Sequence, residues 1–288
     1  MTETERDLGP PVAIGGVGGS GTRVIAEVAR RLGIAVGDCL NDALDNLWFT
    51  LLLKRPAWFV QFPTDREIVD AALLFRKAMT EGLAGNVTPA ETRFLQDLGR
   101  QHSASRVSTG ASEEVATNIL RSTLPEANAP KRWGWKEPNS HIFLPQLAQA
   151  MPGLKYVHIV RNGIDMAHSG NQQQVRNWGR ALFGLDGGTG PCASLKYWCH
   201  SHRRVLQIGE GMGPGFLFLS FDELCHDPES QLGRLCDFLG VGADEATIGG
   251  LLHHVEPPAS IGRFRQYDLS EFDEDDVAYV ASLGFDVA

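Results

Sequence analysis

Basic residues are the first shortage. The 288-residue chain carries 26 Lys and Arg against 35 Asp and Glu, a formal charge of −9. A field of that sign repels polyanions, which argues against broad nucleic-acid binding and requires any anion site to be local. Cysteine is scarce as well: Cys39, Cys192, Cys199, Cys225 and Cys236 are odd in number and form no paired CxxC arrangement. That argues against a disulfide scaffold or a structural zinc. Long apolar runs are missing, since the longest, Leu47 to Leu53, is far too short to span a bilayer. The opening MTETERDLGPP is acidic and polar where a secretory signal needs a basic and then an apolar stretch. A cytoplasmic protein is therefore expected. No internal repeat or low-complexity tract is present, and 43% apolar residues are enough for a large core.

The pattern that is there alternates strands and helices. Val12 to Ile14 predicts a strand, a glycine cluster follows, and Val24 to Leu32 predicts a helix ending at Gly33. Ile34 to Val36 supplies a second strand, and Asn41 to Leu53 reads as a helix with Leu44, Leu47, Trp48, Leu51 and Leu52 on its buried side. From Asp65 to Leu124 only helical patterns occur. Strands return at Arg132–Lys136, Lys155–Val160 and Phe216–Ser220, with helices over Ile142–Ala150, Ser194–Ile208 and Asp227–Leu239. A last helix is predicted with Ser270 as N-cap. Strands separated by helices imply a mostly parallel sheet covered on both faces, a three-layer α/β sandwich. One domain, 1–288, with a helical insertion over about 41–130, is the economical organisation.

Gly15-Gly16-Val17-Gly18-Gly19-Ser20-Gly21-Thr22-Arg23 lies between a predicted strand and a helix, where backbone N–H groups and the helix N-terminus make an anion site. Something phosphorylated is expected here. Three readings compete. Gly16, Gly18 and Gly21 spell GxGxxG, and Asp38 lies 17 residues further on, as the ribose-binding acid of a dinucleotide oxidoreductase would. Gly16 to Gly21 also opens like a Walker loop, but Thr22 and Arg23 stand where Lys and a Mg²⁺-binding hydroxyl are needed, so ATP with Mg²⁺ would lack its main contacts. The third reading needs the cradle and no metal.

Gly16 to Thr22 resembles the 5′-phosphosulfate loop of the sulfotransferase family, whose core is Ser-Gly-Thr. Lys155-Tyr-Val-His-Ile-Val-Arg161-Asn162-Gly-Ile-Asp165-Met-Ala-His-Ser169 resembles that family's 3′-phosphate motif: a strand ending in Arg-Asn, then an Asp, and a Ser eight residues after the Arg. Ser220-Phe-Asp-Glu-Leu-Cys-His-Asp-Pro228 through Gly240 is similar to the stretch after the last central strand, and Ser260-Ile-Gly-Arg263-Phe-Arg265 to the closing loop over the nucleotide. Four segments in the right order cover nearly the whole chain apart from the helical insertion. The resemblance implies a P-loop NTPase-like fold and a sulfotransferase that uses 3′-phosphoadenosine 5′-phosphosulfate (PAPS), releases adenosine 3′,5′-bisphosphate (PAP), and needs no metal.

Sulfuryl transfer, like phosphoryl transfer, requires an anion cradle, a cation at the leaving phosphate and a base for the acceptor hydroxyl. The resemblance implies a cradle of Gly18, Gly19, Ser20, Gly21 and Thr22, and a 3′-phosphate site of Arg161 and Ser169 closed by Arg263 and Arg265. Family members usually carry Lys or Arg immediately before Ser-Gly-Thr, where this chain has Gly19. Its replacement is either Arg23 or, preferred, Lys136, because Trp135-Lys136-Glu137-Pro138 resembles the Lys-acid-Pro element of tyrosylprotein and several bacterial sulfotransferases. For the base, Asp45-Asn-Leu-Trp48-Phe49 resembles the Glu-x-x-Phe-Phe arrangement of carbohydrate sulfotransferases. Asp45 is the first choice, Asp42 is expected on the same helical face, and Glu137 and His141 are fallbacks. Asp165 is expected to brace the loop. The partner is a small-molecule or glycan acceptor with a hydroxyl: a sugar, a glycolipid or a small natural product. An NAD(P) oxidoreductase and a non-catalytic nucleotide-binding protein are the competing classes. His200 and His202, two apart, point in different directions, and Asp273 to Asp276 lacks the spacing of a calcium loop, so no metal is expected.

Overall fold

The computed structural model describes residues 8–105, 109–123, 132–185 and 188–288. Residues 1–7, the end of the helical stretch at Leu124 and the far end of the 41–130 insertion lie outside them. The chain divides into two compact units, Met1–Ile14 with Ile25–Lys155, and Gly15–Val24 with Tyr156–Ala288. Elements are numbered in chain order.

The first unit begins with β1 (Val12–Gly16), whose last two residues belong to the second unit, then α1 (Thr22–Arg31), likewise shared, and β2 (Ile34–Ala35). Five helices follow: α2 (Leu47–Leu53), α3 (Pro56–Phe59), α4 (Asp65–Thr80), α5 (Pro89–Ala104) and α6 (Glu113–Leu120). β3 (Arg132–Lys136), a 3₁₀ turn (Pro138–Phe143) and α7 (Leu144–Ala150) complete it. Both long helices start on capping boxes, Thr64 with Glu67 and Thr88 with Glu91, in which side chain and backbone satisfy each other's free groups. The core forms around β3. Trp135 is fully buried, stacked on Phe49 at 5.9 Å between centroids and edge-on to Phe75 at 5.2 Å. Burying such side chains contributes about 1.5–3 kcal/mol each. Gly134 has to lack a side chain, because a Cβ there would lie 2.1 Å from the Val12 carbonyl oxygen of the neighbouring strand.

The second unit adds β4 (Lys155–Val160, from Tyr156 onward), α8 (Gly163–Ala167), α9 (Arg180–Phe183), α10 (Pro191–Met212), β5 (Phe216–Ser220), α11 (Phe221–His226), α12 (Pro228–Leu239), α13 (Glu245–Leu252) and α14 (Glu274–Ser282). Its core is aromatic and imidazole-rich. His158 lies parallel to Phe218 at 5.7 Å, with His202 edge-on at 5.1 Å. β4 and β5 pair from Tyr156 opposite Phe216 to Val160 opposite Ser220.

The strands form one all-parallel sheet in the order β2-β3-β1-β4-β5, flanked by helices, as the alternating pattern predicts for a P-loop-like α/β fold. β3 separates β2 from β1, with Ile34 opposite Arg132 and Val12 opposite Gly134. The dinucleotide reading loses its support here. Its ribose acid must end the strand next to β1, and Asp38 follows a strand one place removed.

Two predicted boundaries are corrected. The helix expected over Asn41–Leu53 begins only at Leu47. Asn41 Oδ1 accepts the backbone N–H groups of Ala43 and Asp45 at 3.0 and 2.8 Å, and Leu44 has φ +62°, so residues 41–46 make a tight loop. This side-chain competition for backbone donors is what keeps Asn out of helix interiors. Asp42 and Asp45 therefore share no helical face. The last helix is capped by Asp273, whose side chain accepts Asp275 N–H, rather than by Ser270, which lies in a 3₁₀ turn of Leu269–Glu271.

Candidate active site

In the second unit, β1 runs out at Gly16 and the loop turns into α1 at Thr22. The loop closes on itself where Ser20 N–H donates to the Val17 carbonyl at 3.1 Å. Gly21 has φ +95°, and a Cβ there would meet the Phe221 ring at 2.3 Å, so backbone conformation and close packing both demand glycine. The first turn of α1 holds no acid, which leaves the positive end of the helix unneutralised. Ser20 is fully buried and its hydroxyl has no hydrogen-bond partner among the described residues. A buried orphan hydroxyl costs about 1–3 kcal/mol, which a partner oxygen from outside the chain would offset. Thr22 is buried beside it and Arg23 is exposed.

Arg161 follows the carboxyl end of β4 and is 8% exposed. Its Nη2 donates to Ser260 Oγ at 2.9 Å and lies 3.9 Å from Asp165, while its Nε is buried without a partner among the described residues. Asp165, on α8, accepts the backbone N–H of Gly262 at 2.7 Å and of Phe264 at 2.9 Å. It braces the closing loop as expected. Arg263 donates to the His168 carbonyl at 3.1 Å, one residue before Ser169, and the His168 ring stacks on Tyr267 at 3.7 Å. Arg161, Ser169 and Arg263 are thus gathered where the 260–267 segment meets the end of α8. Ser169 sits past the C-cap of α8 rather than within a helix, with its Oγ accepting Asn171 N–H at 3.2 Å. Arg265 is exposed and turned to Asp286, with which it forms an ion pair. Asn162 caps α8 through its side chain, and its own N–H donates to Asp222 at 3.1 Å. Burial pushes the Asp222 carboxyl up, against that hydrogen bond and the pull of Arg161. Two residues outside the sequence-level assignment emerge: Ser260, which holds Arg161, and Gln174, which bonds the loop itself at Gly16. The polar run Gln172-Gln173-Gln174, which begins three residues after Ser169, is the signal that could have pointed to the second.

In the first unit, Lys136 ends β3 opposite Ile14, the residue before the glycine cluster. Its side chain is buried and bonds both Asp45 Oδ1 and the Ala43 carbonyl, the latter at 2.9 Å. Asp45 is held in turn by Asn41 Nδ2 at 3.0 Å, and Asn46 N–H donates to the Lys136 carbonyl at 2.8 Å. The Asn41–Asn46 loop is therefore folded over the end of β3, and the two sequence-level candidates Asp45 and Lys136 meet directly. Asp42 is exposed. Glu137 is committed elsewhere: it is fully buried, caps the 3₁₀ turn by accepting Asn139 N–H at 2.6 Å, and pairs with Lys54 at 3.0 Å. Burial pulls the Lys54 ammonium down, but the charge and hydrogen bond of Glu137 outweigh it and leave the pKa above its ordinary value. His141 is buried in the same turn. Trp48 and Phe49 belong to the core, Trp48 donating to Asn118 at 2.7 Å. All five cysteines are free thiols, and no group of three His, Cys, Asp or Glu that could hold a metal occurs among the described residues. No helix among them is long and apolar enough to cross a membrane.

Comparison with known proteins gives the same direction. The model of a sulfotransferase family matches residues 11–245. Among solved structures, the chain is similar to the sulfotransferase domain of the olefin synthase of Synechococcus PCC 7002, with 18% identity, full coverage of both chains and a TM-score of 0.51. It is also similar to the sulfotransferase domain from the curacin biosynthetic pathway, with 13% identity over 97% of this chain and 99% of that one, and a TM-score of 0.53. No curated protein sequence matches. Since the family match takes in the glycine loop, Lys136, Arg161 and Ser169 and reaches well beyond half of the chain, the protein belongs to the sulfotransferase family and is a sulfotransferase.

Proposed function

We propose that this enzyme takes PAPS as donor and moves its sulfuryl group to a hydroxyl of a sugar, glycolipid or small natural product by in-line displacement. The whole chain, 1–288, is read as one sulfotransferase domain with residues 41–130 as its helical insertion. The observation that carries the reading is the buried, unpartnered Ser20 hydroxyl in a glycine loop at the acid-free start of α1. Such a cradle fits a phosphosulfate, and the buried open donor on Arg161 fits a second anionic group.

When bound, that donor supplies an activated sulfuryl group on a phosphosulfate anhydride. The chain's residues do the rest. Backbone N–H groups from Gly18 to Thr22 and the Ser20 and Thr22 hydroxyls hold the 5′ end, while Arg161, Ser169 and Arg263 hold the 3′-phosphate. Arg265 takes a peripheral part, because Asp286 already engages it. Lys136 neutralises charge growing on the leaving phosphate, in place of the cation missing at Gly19, and is preferred to the exposed Arg23. Asp45 removes the acceptor proton. Glu137 and His141 support the turn that follows Lys136, and Asp42 has no role. Lys136 and Asn41 hold the Asp45 carboxylate in place.

Melting curves test the donor. Adenosine 3′,5′-bisphosphate should raise Tm by several degrees at saturating concentration and NAD should not, because a ligand bound only by the folded state stabilises it. A shift with NAD alone would reverse the assignment. Transfer of labelled sulfate to an acceptor panel then separates an enzyme using this donor from a mere binder.

A further inference from the structure

The glycine loop is tied to the body of the second unit by a two-step hydrogen-bond relay. Tyr197 is fully buried on α10, and its hydroxyl donates to Gln174 Oε1 at 3.3 Å. Gln174, 8% exposed, donates from Nε2 to the carbonyl of Gly16 at 3.4 Å. The relay has a direction. The Gly16 carbonyl can only accept, so the amide turns its N–H to the loop and its oxygen to Tyr197, whose hydroxyl donates to it. Burial pushes the Tyr197 phenol up, which keeps its proton in place at every working pH. A small cavity lined by Val17, Gly18, Asn171 and Gln174 lies alongside the amide.

The target of this relay matters. A peptide unit is planar and trans, so its C=O and N–H point in opposite directions. Holding the Gly16 carbonyl toward Gln174 therefore aims the Val17 N–H the other way. Gly16 opens a loop with several glycines, whose peptide planes turn at little cost. A carbonyl swung toward a bound anion would replace attraction with repulsion. Gln174 also lies five residues after Ser169, and Gln172 is anchored to the Ser169 carbonyl at 2.8 Å, so one short segment serves both ends of the nucleotide site. It leads into a single π-helical turn, Val175–Gly179, a deviation found disproportionately at functional sites.

We propose that Gln174 is a positioning residue for the donor, locking the Gly16 peptide plane so that the loop presents N–H groups to the 5′-phosphosulfate, and that Tyr197 holds the oxygen end of its amide. This rests on the reading of the loop as a donor site and deepens it.

The test measures binding of adenosine 3′,5′-bisphosphate by calorimetry in the full-length protein, with KM for donor and acceptor once an acceptor is known. Gln174→Met keeps the shape and removes the bonds. It should weaken bisphosphate binding and raise the donor KM by about tenfold, with the acceptor KM unchanged. Tyr197→Phe should cost about threefold, and should cost nothing further when added to Gln174→Met, since the relay is already broken. Gln174→Glu guards against a misfolded Met variant: its carboxylate offers no donor at neutral pH, so its binding relative to the parent should recover as the pH falls and the acid regains a proton. Met-variant binding within twofold of the parent, multiplying losses in the double variant, or a pH-independent Glu variant would each overturn the proposal. Failure of the parent protein to bind the bisphosphate would instead overturn the reading of the loop, and the relay's role with it.

Discussion

The glycine loop with Arg161 in the second unit and the Lys136–Asp45 pair of the first solve opposite problems. The glycine loop and Arg161 hold open valences: a buried hydroxyl and a guanidinium N–H without partners among the described residues, and an unneutralised helix end. Lys136 and Asp45 have theirs closed, each satisfying the other with Asn41 and the Ala43 carbonyl as further partners. The first arrangement combines a backbone turn and a helix end with two buried side-chain groups. The second is built from side chains whose charges would be costly to bury unpaired, so they pair with each other. Binding and chemistry should therefore separate under mutation.

The sharpest separation is expected at the pair. Asp45→Asn should lower kcat by about 10²–10⁴-fold, the usual range for a general base, and Lys136→Met by about 10²–10³-fold for lost charge stabilisation. Both should bind adenosine 3′,5′-bisphosphate within about threefold of the parent, on the order of a single hydrogen bond. Full turnover in either would remove that residue from the chemistry. Gly21→Ala attacks the other side. Its Cβ would overlap the Phe221 ring at a positive φ, so a loss of about 2–4 kcal/mol in urea unfolding is expected together with loss of the bisphosphate-induced rise in Tm.

Acid should weaken the core of the second unit. Burial pulls His202 down to about 4, against a hydrogen bond to the Trp198 carbonyl that favours the proton. The unfolded chain binds that proton near pH 6.5 and the folded chain does not, so this contribution is complete above pH 6.5 and is lost as the pH falls toward 4. The loss amounts to about 3 kcal/mol and levels off below 4. Urea titrations at pH 7, 5.5 and 4.5 would reveal it, and His202→Asn should flatten that slope. If Arg161 holds the 3′-phosphate as proposed, Arg161→Ala should weaken bisphosphate binding by about 10–100-fold through loss of a charge-assisted hydrogen bond, with kcat at saturating donor little changed. The smallest effect belongs to Arg265. Its partner Asp286 is exposed, so Arg265→Ala should cost below about 1 kcal/mol in stability and less than about threefold in binding. A larger loss would give Arg265 a direct place on the nucleotide.

Legibility in the sequence followed the range of the forces involved. β3, β4 and β5 have the predicted bounds because a buried parallel strand needs a short apolar run framed by turns, and that requirement is local. The glycine loop was readable for the same reason. The segment before α2 was not: Leu44, Leu47, Trp48 and Leu51 carry helical spacing, yet Asn41 and Asn46 capture the backbone donors and turn the chain back over β3. The spacing Asp45-x-x-Trp48 was visible, but that the acid sits outside the helix and on Lys136, 91 residues away, was not. Glu137 looked as available as its neighbour until Lys54 and Asn139 claimed it.

What the sequence determined alone is the family, the alternation of strand and helix and the glycine turn between β1 and α1, since each depends on residues adjacent in the chain or one turn apart. Tertiary structure decided the rest: the insertion of β3 between β2 and β1, the partner of every buried charge, the bracing of the 260–267 segment by Asp165, and the relay from Tyr197 to Gly16. These are pairings between distant segments, and a buried polar group takes whichever partner packing brings within about 3 Å, a choice no local pattern encodes.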